Sequence, residues 1–233
     1  MKHILITRFA IQYNKESIHR KHGDIPGWLD TRMSMFNRYC LPSVQAQTIP
    51  FDWLFLVDPN FPAWDDKYAK VLEQHGRIVY MGVDFDDGQK EVGGMLNNYT
   101  GWICTTRLDS DDIIANDFMS QVSSLTAEEE MWIVFRQGYM LHDNKLHLKM
   151  YKKNPFLSYV EYADGDVKSV FKENHHNFHR DAKRRNILCK VVENNPMWIQ
   201  VVHDNNVGNQ PRKLSNIISS TDLVRHNFTW LNT

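Results

Sequence analysis

The chain has 233 residues, 42% of them hydrophobic and 24% charged, with a formal net charge of -1. That balance suits one soluble α/β domain and supplies no overall basic field to recruit nucleic acid or acidic membrane. No window approaches the roughly 20 apolar residues of a membrane span. Cys40, Cys104 and Cys189 are scattered without Cys-x-x-Cys spacing, so they suggest neither a disulfide framework nor a zinc site and fit a reducing cytoplasm. The apolar run after His3 is stopped by Arg8, too soon for a signal-peptide core.

Taken in chain order, His3 to Phe9 reads as a buried strand, because short apolar runs rich in Ile and Leu pack on both faces of a sheet. Ala10 to Gly27 is mostly polar and punctuated by Gly23, Pro26 and Gly27; a loop of that length suits a flap over a binding cleft. Trp28 to Gln47 carries apolar residues three or four apart, with Pro42 marking a kink or a new first turn. Trp53 to Val57 is a second strand ending in Asp58, Ala63 to Gln74 a helix closed by His75-Gly76, and Arg77 to Val83 a third strand. Gly93-Gly94 reads as a flexible turn. Trp102 to Thr106 is a fourth strand that feeds an acidic run.

Beyond that run, Asp117 to Ser124 is expected to be helical and Met131 to Phe135 a strand, with a hairpin over Tyr139 to Tyr151 around His142-Asp143-Asn144. Met197 to Val202 is again strand-like. Alternation of strand and helix predicts a Rossmann-like domain with a mostly parallel central sheet. The expected division is a nucleotide-binding half over residues 1–115 and an acceptor and catalytic half over 116–233, with a smaller mixed region in the second. In such sheets ligands bind at the carboxyl ends of strands, where Asp58 and Asp109 both fall.

The acidic run Asp109-Ser110-Asp111-Asp112 holds the main chemical signal. Three carboxylates within four residues repel one another, and a hard divalent ion, Mn²⁺ or Mg²⁺, compensates them through oxygen ligands. That ion would bridge to a diphosphate. The competing reading is a solvated turn with an Asp capping the next helix. Asp58 is equally readable as a turn residue before Pro59. Arg107 stands beside the acids as either a phosphate clamp or their structural partner.

Several blocks extend the argument. Ile6-Thr7-Arg8-Phe9, Phe36-Asn37-Arg38-Tyr39-Cys40-Leu41-Pro42-Ser43 with Gln47-Thr48, and Asp52-Trp53-Leu54-Phe55-Leu56-Val57-Asp58 lie in the first half. Thr106-Arg107-Leu108-Asp109-Ser110-Asp111-Asp112, Asn154-Pro155-Phe156-Leu157 and Trp198-Ile199-Gln200-Val201-Val202-His203 follow. With these blocks in this order the chain resembles the putative rhamnosyltransferase family, which has the GT-A glycosyltransferase fold. The resemblance implies transfer of a sugar, with rhamnose as the named candidate, from a UDP-, dTDP- or GDP-linked donor to a glycan or other hydroxyl acceptor. It implies donor contacts at Thr7, Arg8, Phe9, Asp58, Arg107 and Asp109, with the metal at Asp109 and Asp111, and it strengthens His203 as a further metal contact.

A catalytic base is expected in the second half. Glu161 leads, because it ends an apolar stretch where partial burial raises a carboxyl pKa; Asp143 and Asp204 are rivals. Asn174 to His179 reads as a polar loop beside the diphosphate rather than a zinc site, and Lys183-Arg184-Arg185 as a solvated basic face or a contact for phosphates or an anionic acceptor. Two other function classes are kept open. One is a metal-dependent nucleotidyltransferase or phosphohydrolase, weakened by the missing P-loop pattern. The other is a non-catalytic nucleotide- or sugar-binding module.

Overall fold

The computed structural model describes residues 1–11, 25–81, 85–193, 195–203 and 227–228. In chain order these form β1 (Lys2–Ala10), α1 (Trp28–Met35), α2 (Leu41–Gln45), β2 (Asp52–Val57), α3 (Asp66–Glu73) and β3 (Arg77–Tyr80). Then come α4 (Phe85–Leu96), β4 (Thr100–Asp109), β5 (Ile113–Ile114), α5 (Phe118–Leu125) and β6 (Met131–Phe135). The remainder is β7 (Gln137–His142), β8 (Lys145–Met150), β9 (Leu157–Asp164), α6 (Phe178–Arg185), β10 (Leu188–Val192) and β11 (Trp198–Val201).

A seven-stranded sheet has the order β10-β6-β9-β4-β1-β2-β3. Its pairings are parallel except where β9 runs against β4 and β6. From β1 the chain proceeds outward through β2 and β3, then returns to lay β4 on the other side of β1. The order therefore reverses between β1 and β4, and loops at their carboxyl ends diverge to open a crevice there. A smaller mixed sheet, β5-β11-β7-β8, adjoins. The mostly parallel α/β sheet with a smaller mixed region is the expected architecture.

Strand alternation sends successive side chains to opposite faces of the large sheet. Leu5, Phe9, Trp53, Phe55, Cys104 and Leu108 enter a core shared with α1, α2, α3, α5 and the smaller sheet. Ile4, Ile6, Leu54, Leu56 and Ile103 enter a second core capped by α4 and α6 through Val92, Leu96, Phe178 and Ala182. Burial on both faces explains why β1 and β2 read as continuous apolar runs.

The Trp28–Gln47 stretch is one helical run with an unexpected middle. Between α1 and α2, Phe36–Cys40 takes the wider π form. Pro42 has no N–H to donate and its ring crowds the preceding turn, so a widened turn just before it lets the run continue without a break. Around His142 the hairpin forms as expected, with Asp143 and Asn144 at φ 49° and 56°, the left-handed pair of a tight two-residue turn.

Two local expectations are corrected. Gly93-Gly94 is not a turn but lies within α4. A Cβ on Gly93 would stand 2.9 Å from the Val167 carbonyl oxygen, so glycine there lets α4 approach the chain after β9. The fourth strand is also longer than Trp102 to Thr106, because β4 continues through Asp109. The expected flap falls mostly on residues 12–24, outside the described residues.

Gly138 in β7 gives a direct test of packing. A Cβ there would meet the Trp198 ring at 2.1–2.4 Å. That ring is fully buried, stacked on Phe156 and hydrogen-bonded from Nε1 to the Phe135 carbonyl. It cannot swing away, so Gly138→Ala should destabilise the fold by about 1–3 kcal/mol, the usual range for overpacking, seen as a lower urea midpoint.

Candidate functional site

The carboxyl ends of β1 and β4 carry opposite charges in register. On the face capped by α4 and α6, β1 runs Ile4, Ile6, Arg8 and β4 runs Ile103, Thr105, Arg107, Asp109. Arg8 is the register partner of Asp109. Its guanidinium donates Nε at 2.9 Å to Asp109 Oδ1 and Nη2 at 2.7 and 2.8 Å to the two oxygens. Arg107 adds Nη2 at 3.2 Å, and its Nη1 lies 3.2 Å from His175 Nδ1. Burial alone would push the Asp109 carboxyl up, but Arg107 and Arg8 outweigh it and hold it well below the usual carboxylate range. Burial and the same arginines, with His176, push His175 down to about 2, so its imidazole stays neutral.

After Asp109 the chain turns, with the Asp112 N–H donating to the Asp109 carbonyl at 3.1 Å. The turn carries Asp111 toward α1, where Arg32 Nη1 stands 2.6 Å from Asp111 Oδ1. His203, just beyond β11, places Nε2 2.9 Å from Asp111 Oδ2. Burial opposes ionisation of Asp111, while Arg32 and His203 lower its pKa below the ordinary value. Asp112 Oδ1 accepts the Val201 N–H at 2.9 Å and so ties the turn to β11. Burial and the charges of Asp111 and Asp109 raise its pKa well above normal. The three carboxylates therefore play different parts, two ionised and matched by cations, one anchoring the smaller sheet.

Arg32 also lies over the indole of Trp28, 4.6 Å from the ring centroid. Trp28 lines a cleft of about 420 Å³ with Asp30, Phe61, Trp64 and Tyr68. Trp64 and Tyr68 stack there with centroids 5.9 Å apart. The cleft has the size and aromatic lining of a small-molecule site, and Arg32 links it to Asp111.

A model of the family described as "Putative rhamnosyl transferase" matches residues 3–214. The chain belongs to that family. Among solved structures it is similar to S. aureus TarS 1-349, at 13% identity and TM-score 0.50, over 86% of this chain and 60% of that one. The same TarS fragment in complex with UDP gives 14% identity and TM-score 0.51, over 87% and 61%. A putative nucleotide-diphospho-sugar transferase from Desulfovibrio desulfuricans G20 gives 13% identity and TM-score 0.45, over 98% and 96%. At these identities the TarS likeness speaks to the fold, and this chain spans about three-fifths of the TarS fragment. No curated protein matches.

In this rhamnosyltransferase-family chain the expected site residues divide clearly. Arg8, Arg107, Asp109, Asp111 and His203 meet at one corner. Thr7 and Phe9 do not, because alternation along β1 turns them to the other face. Thr7 Oγ1 accepts from Trp53 Nε1 at 2.9 Å, and Phe9 packs on Phe36 and Trp64. Asp58 lies on the same sheet edge, its N–H donating to the Ala10 carbonyl and its Oδ1 accepting the Asn60 N–H at 2.8 Å. That is the turn role weighed for it.

Glu161 is displaced from the corner. It pairs with Ile103, six positions before Asp109 on β4, roughly 20 Å away at about 3.3 Å per residue. Its oxygens accept the N–H groups of Lys168 at 2.9 Å and Ser169 at 2.7 Å. It anchors the chain after β9 instead of facing a substrate. Asp143 sits on an exposed hairpin tip, and Asp204 lies outside the described residues. Arg32 was not singled out by sequence, where i,i+4 spacing from Trp28 was the available signal; His175 belongs to the Asn174 to His179 loop expected beside the diphosphate and stands against Arg107.

Among the described residues, no group of three or more His, Cys, Asp or Glu side chains converges as a metal site. Asp109 is saturated by Arg8 and Arg107, whereas Asp111 and His203 share one hydrogen bond. A carboxylate oxygen and an imidazole nitrogen facing each other form a donor pair that suits Mn²⁺, whose remaining positions phosphate oxygens can fill. The donor set thus fits a cation completed by substrate more than one caged by protein.

Two substitutions separate structural from site roles. Glu161→Ala leaves the buried Ser169 N–H and the partly buried Lys168 N–H without acceptors and should cost about 1–3 kcal/mol, with nucleoside diphosphate affinity unchanged by calorimetric titration. Arg32→Met strands a buried Asp111 charge and should lower stability at neutral pH by about 3 kcal/mol. With Arg32 present, Asp111 titrates below its unfolded value; without it, burial raises that pKa. The deficit should therefore shrink as pH falls from the variant's raised pKa down through the parent's lowered one, as followed by thermal melts across pH.

Proposed function

We propose that this chain transfers a sugar from a nucleoside-diphosphate donor to a hydroxyl acceptor, with rhamnose the first donor sugar to test. The observation that carries the reading is the meeting of Arg8, Arg107 and Arg32 with Asp109 and Asp111 at the point where strand order reverses. Membership of the family supports the glycosyl chemistry, and the TarS–UDP complex shows a protein of this fold with a nucleoside diphosphate.

In this reading the aromatic cleft beside Trp28 receives the base or sugar of the donor, and its diphosphate lies toward Asp111. Asp111 and His203 would hold a divalent cation, Mn²⁺ or Mg²⁺, with phosphate oxygens as the other ligands. Such an ion supplies charge neutralisation for the departing diphosphate. Arg32 faces Oδ1 of Asp111 and His203 faces Oδ2, so a cation held by this carboxylate would compete with Arg32 and leave its guanidinium able to donate two parallel hydrogen bonds to phosphate. Arg8 and Arg107 keep Asp109 ionised and fixed, which holds the turn that aims Asp111. Because Arg107 can only donate, His175 Nδ1 accepts from it, and the neutral ring carries its proton on Nε2, where it offers a hydrogen-bond donor at that corner.

A screen of UDP, dTDP and GDP with Mn²⁺, read by thermal shift, should find one nucleotide that stabilises the protein in a metal-dependent way. Asp111→Asn and His203→Ala should each weaken that stabilisation by about 10–100-fold in nucleotide affinity. Nucleoside diphosphate release from the matching nucleotide sugar then tests transfer itself. Unchanged metal dependence in both variants would remove the cation from this corner.

A further inference from the structure

Charge is unevenly distributed along the chain. Residues 145–190 hold eleven Lys and Arg against five Asp and Glu, whereas the whole chain holds 27 against 28. The segment is the basic pole of an otherwise acidic molecule. Its folded placement is more informative than its composition.

From the Asp109 corner, contacts lead outward through this segment in an unbroken series. Arg107 meets His175, whose ring lies against His176 with centroids 3.9 Å apart. His176 Nδ1 lies 3.3 Å from Tyr151 Oη, which brings in the neighbouring Lys152 and Lys153. These lysines adjoin His179 in the first turn of α6. Arg180 and Lys183, one turn apart, continue along the exposed side of α6.

Several basic groups nearby are already committed. Arg184 pairs with Asp181, Arg185 with Glu130, and Lys172 with both acids. Lys152, Lys153, Arg180 and Lys183 form no ion pair among the described residues. The field they create is visible in their neighbours. After burial, Lys153 and Arg107 lower the His176 pKa, and Lys152 and Lys153 lower that of His179. A row of unmatched cations leading away from a candidate active site is complementary to an extended anion.

We propose that Lys152, Lys153, His176, Arg180 and Lys183 form an acceptor-binding strip for a glycan chain bearing phosphate or carboxylate groups. This rests on the glycosyl-transfer reading, because the strip names the acceptor class for that site. A membrane surface fits less well. The apolar residues of α6, Phe178 and Ala182, are buried in the core, so the helix has no apolar face left to insert. Nucleic acid fits less well too, since Phe178 of α6 is buried in the core and Tyr151 is only partly exposed, which leaves little aromatic surface to stack on bases.

The test compares the full chain with a Lys152→Glu/Lys153→Glu/Arg180→Glu variant, all surface positions. Binding of inorganic polyphosphate and of polygalacturonate is measured by calorimetry, with neutral dextran, phosphatidylglycerol vesicles and a DNA oligonucleotide alongside. The parent should bind at least one soluble polyanion about tenfold or more tighter than the variant at about 50 mM salt, with the gap closing near 0.3 M as screening shortens. Polyphosphate preference assigns phosphate to the acceptor, and polygalacturonate preference assigns carboxylate. Equal affinity of parent and variant for both chains would overturn the strip. So would tighter binding to vesicles or DNA than to either chain. Nucleoside diphosphate titration with Mn²⁺ is run on both proteins; its loss from both, with polyanion binding intact, counts against the donor reading and for the strip. On charged acceptors kcat/KM should fall about tenfold in the variant and on neutral ones less than twofold.

Discussion

Two carboxylates are held ionised at the rim of a sheet because three arginines from separate segments reach them. Asp109 belongs to β4, Arg8 to β1, Arg107 to β4 and Arg32 to α1. Burying carboxylates costs several kcal/mol each unless cations and hydrogen bonds compensate. That demand constrains everything around the turn. The β1–β4 register must set Arg8 opposite Asp109, and α1 must dock so that Arg32 reaches Asp111. Asp112, whose oxygen accepts from Val201, then binds the smaller sheet to the same four-residue turn. Packing of both sheets and geometry of the corner are thus one problem, solved at one place.

The arrangement also explains why the corner suits an anionic ligand despite its acids. Around the two ionised carboxylates stand three guanidiniums and His203, while His175 is kept neutral by burial and by Arg107. The local balance favours positive charge, because three guanidiniums stand against two ionised carboxylates. On the proposed reading, a diphosphate approaching here would meet arginines whose positions are already fixed by the acids. Carboxylates serve in this way as templates that hold the arginines in place. An arginine tethered loosely on the surface would lose rotamer freedom on binding; one already paired has lost it in folding.

Much of this was legible in the chain, and the failures have physical causes. β1, β2, β6, the helices α3 and α5 and the β7–β8 hairpin follow from periodicity and turn chemistry, because burial on known faces imposes those patterns. The acidic turn at the end of β4 was legible for the same reason. The role of Glu161 was not. An acid closing an apolar run looks like a tuned base, yet the same position serves a carboxylate that accepts two backbone N–H groups from a following loop. Distinguishing them needs the register of β9 on β4, which depends on pairing 50 or more residues apart in sequence. Helix α4 was hidden by Gly93 and Gly94; at Gly93 the helix cost is offset by close approach to Val167, while Gly94 faces open space.

Thr7 and Phe9 make the same point at finer scale. A motif read as Thr7-Arg8-Phe9 treats three neighbours as one contact surface, but a strand divides neighbours between faces. Only Arg8 shares a face with Arg107 and Asp109, and the apolar-to-charged change along that face, Ile4 to Ile6 to Arg8, marks where the core ends and the crevice begins. Reading each face of a buried strand separately would have singled out Arg8 without a structure. Arg32 has no such shortcut. It reaches Asp111 from α1, and the π segment carries the same helical run past Pro42 without a break. A proline that would ordinarily end a helix is thereby compatible with one of the site's closest ion pairs.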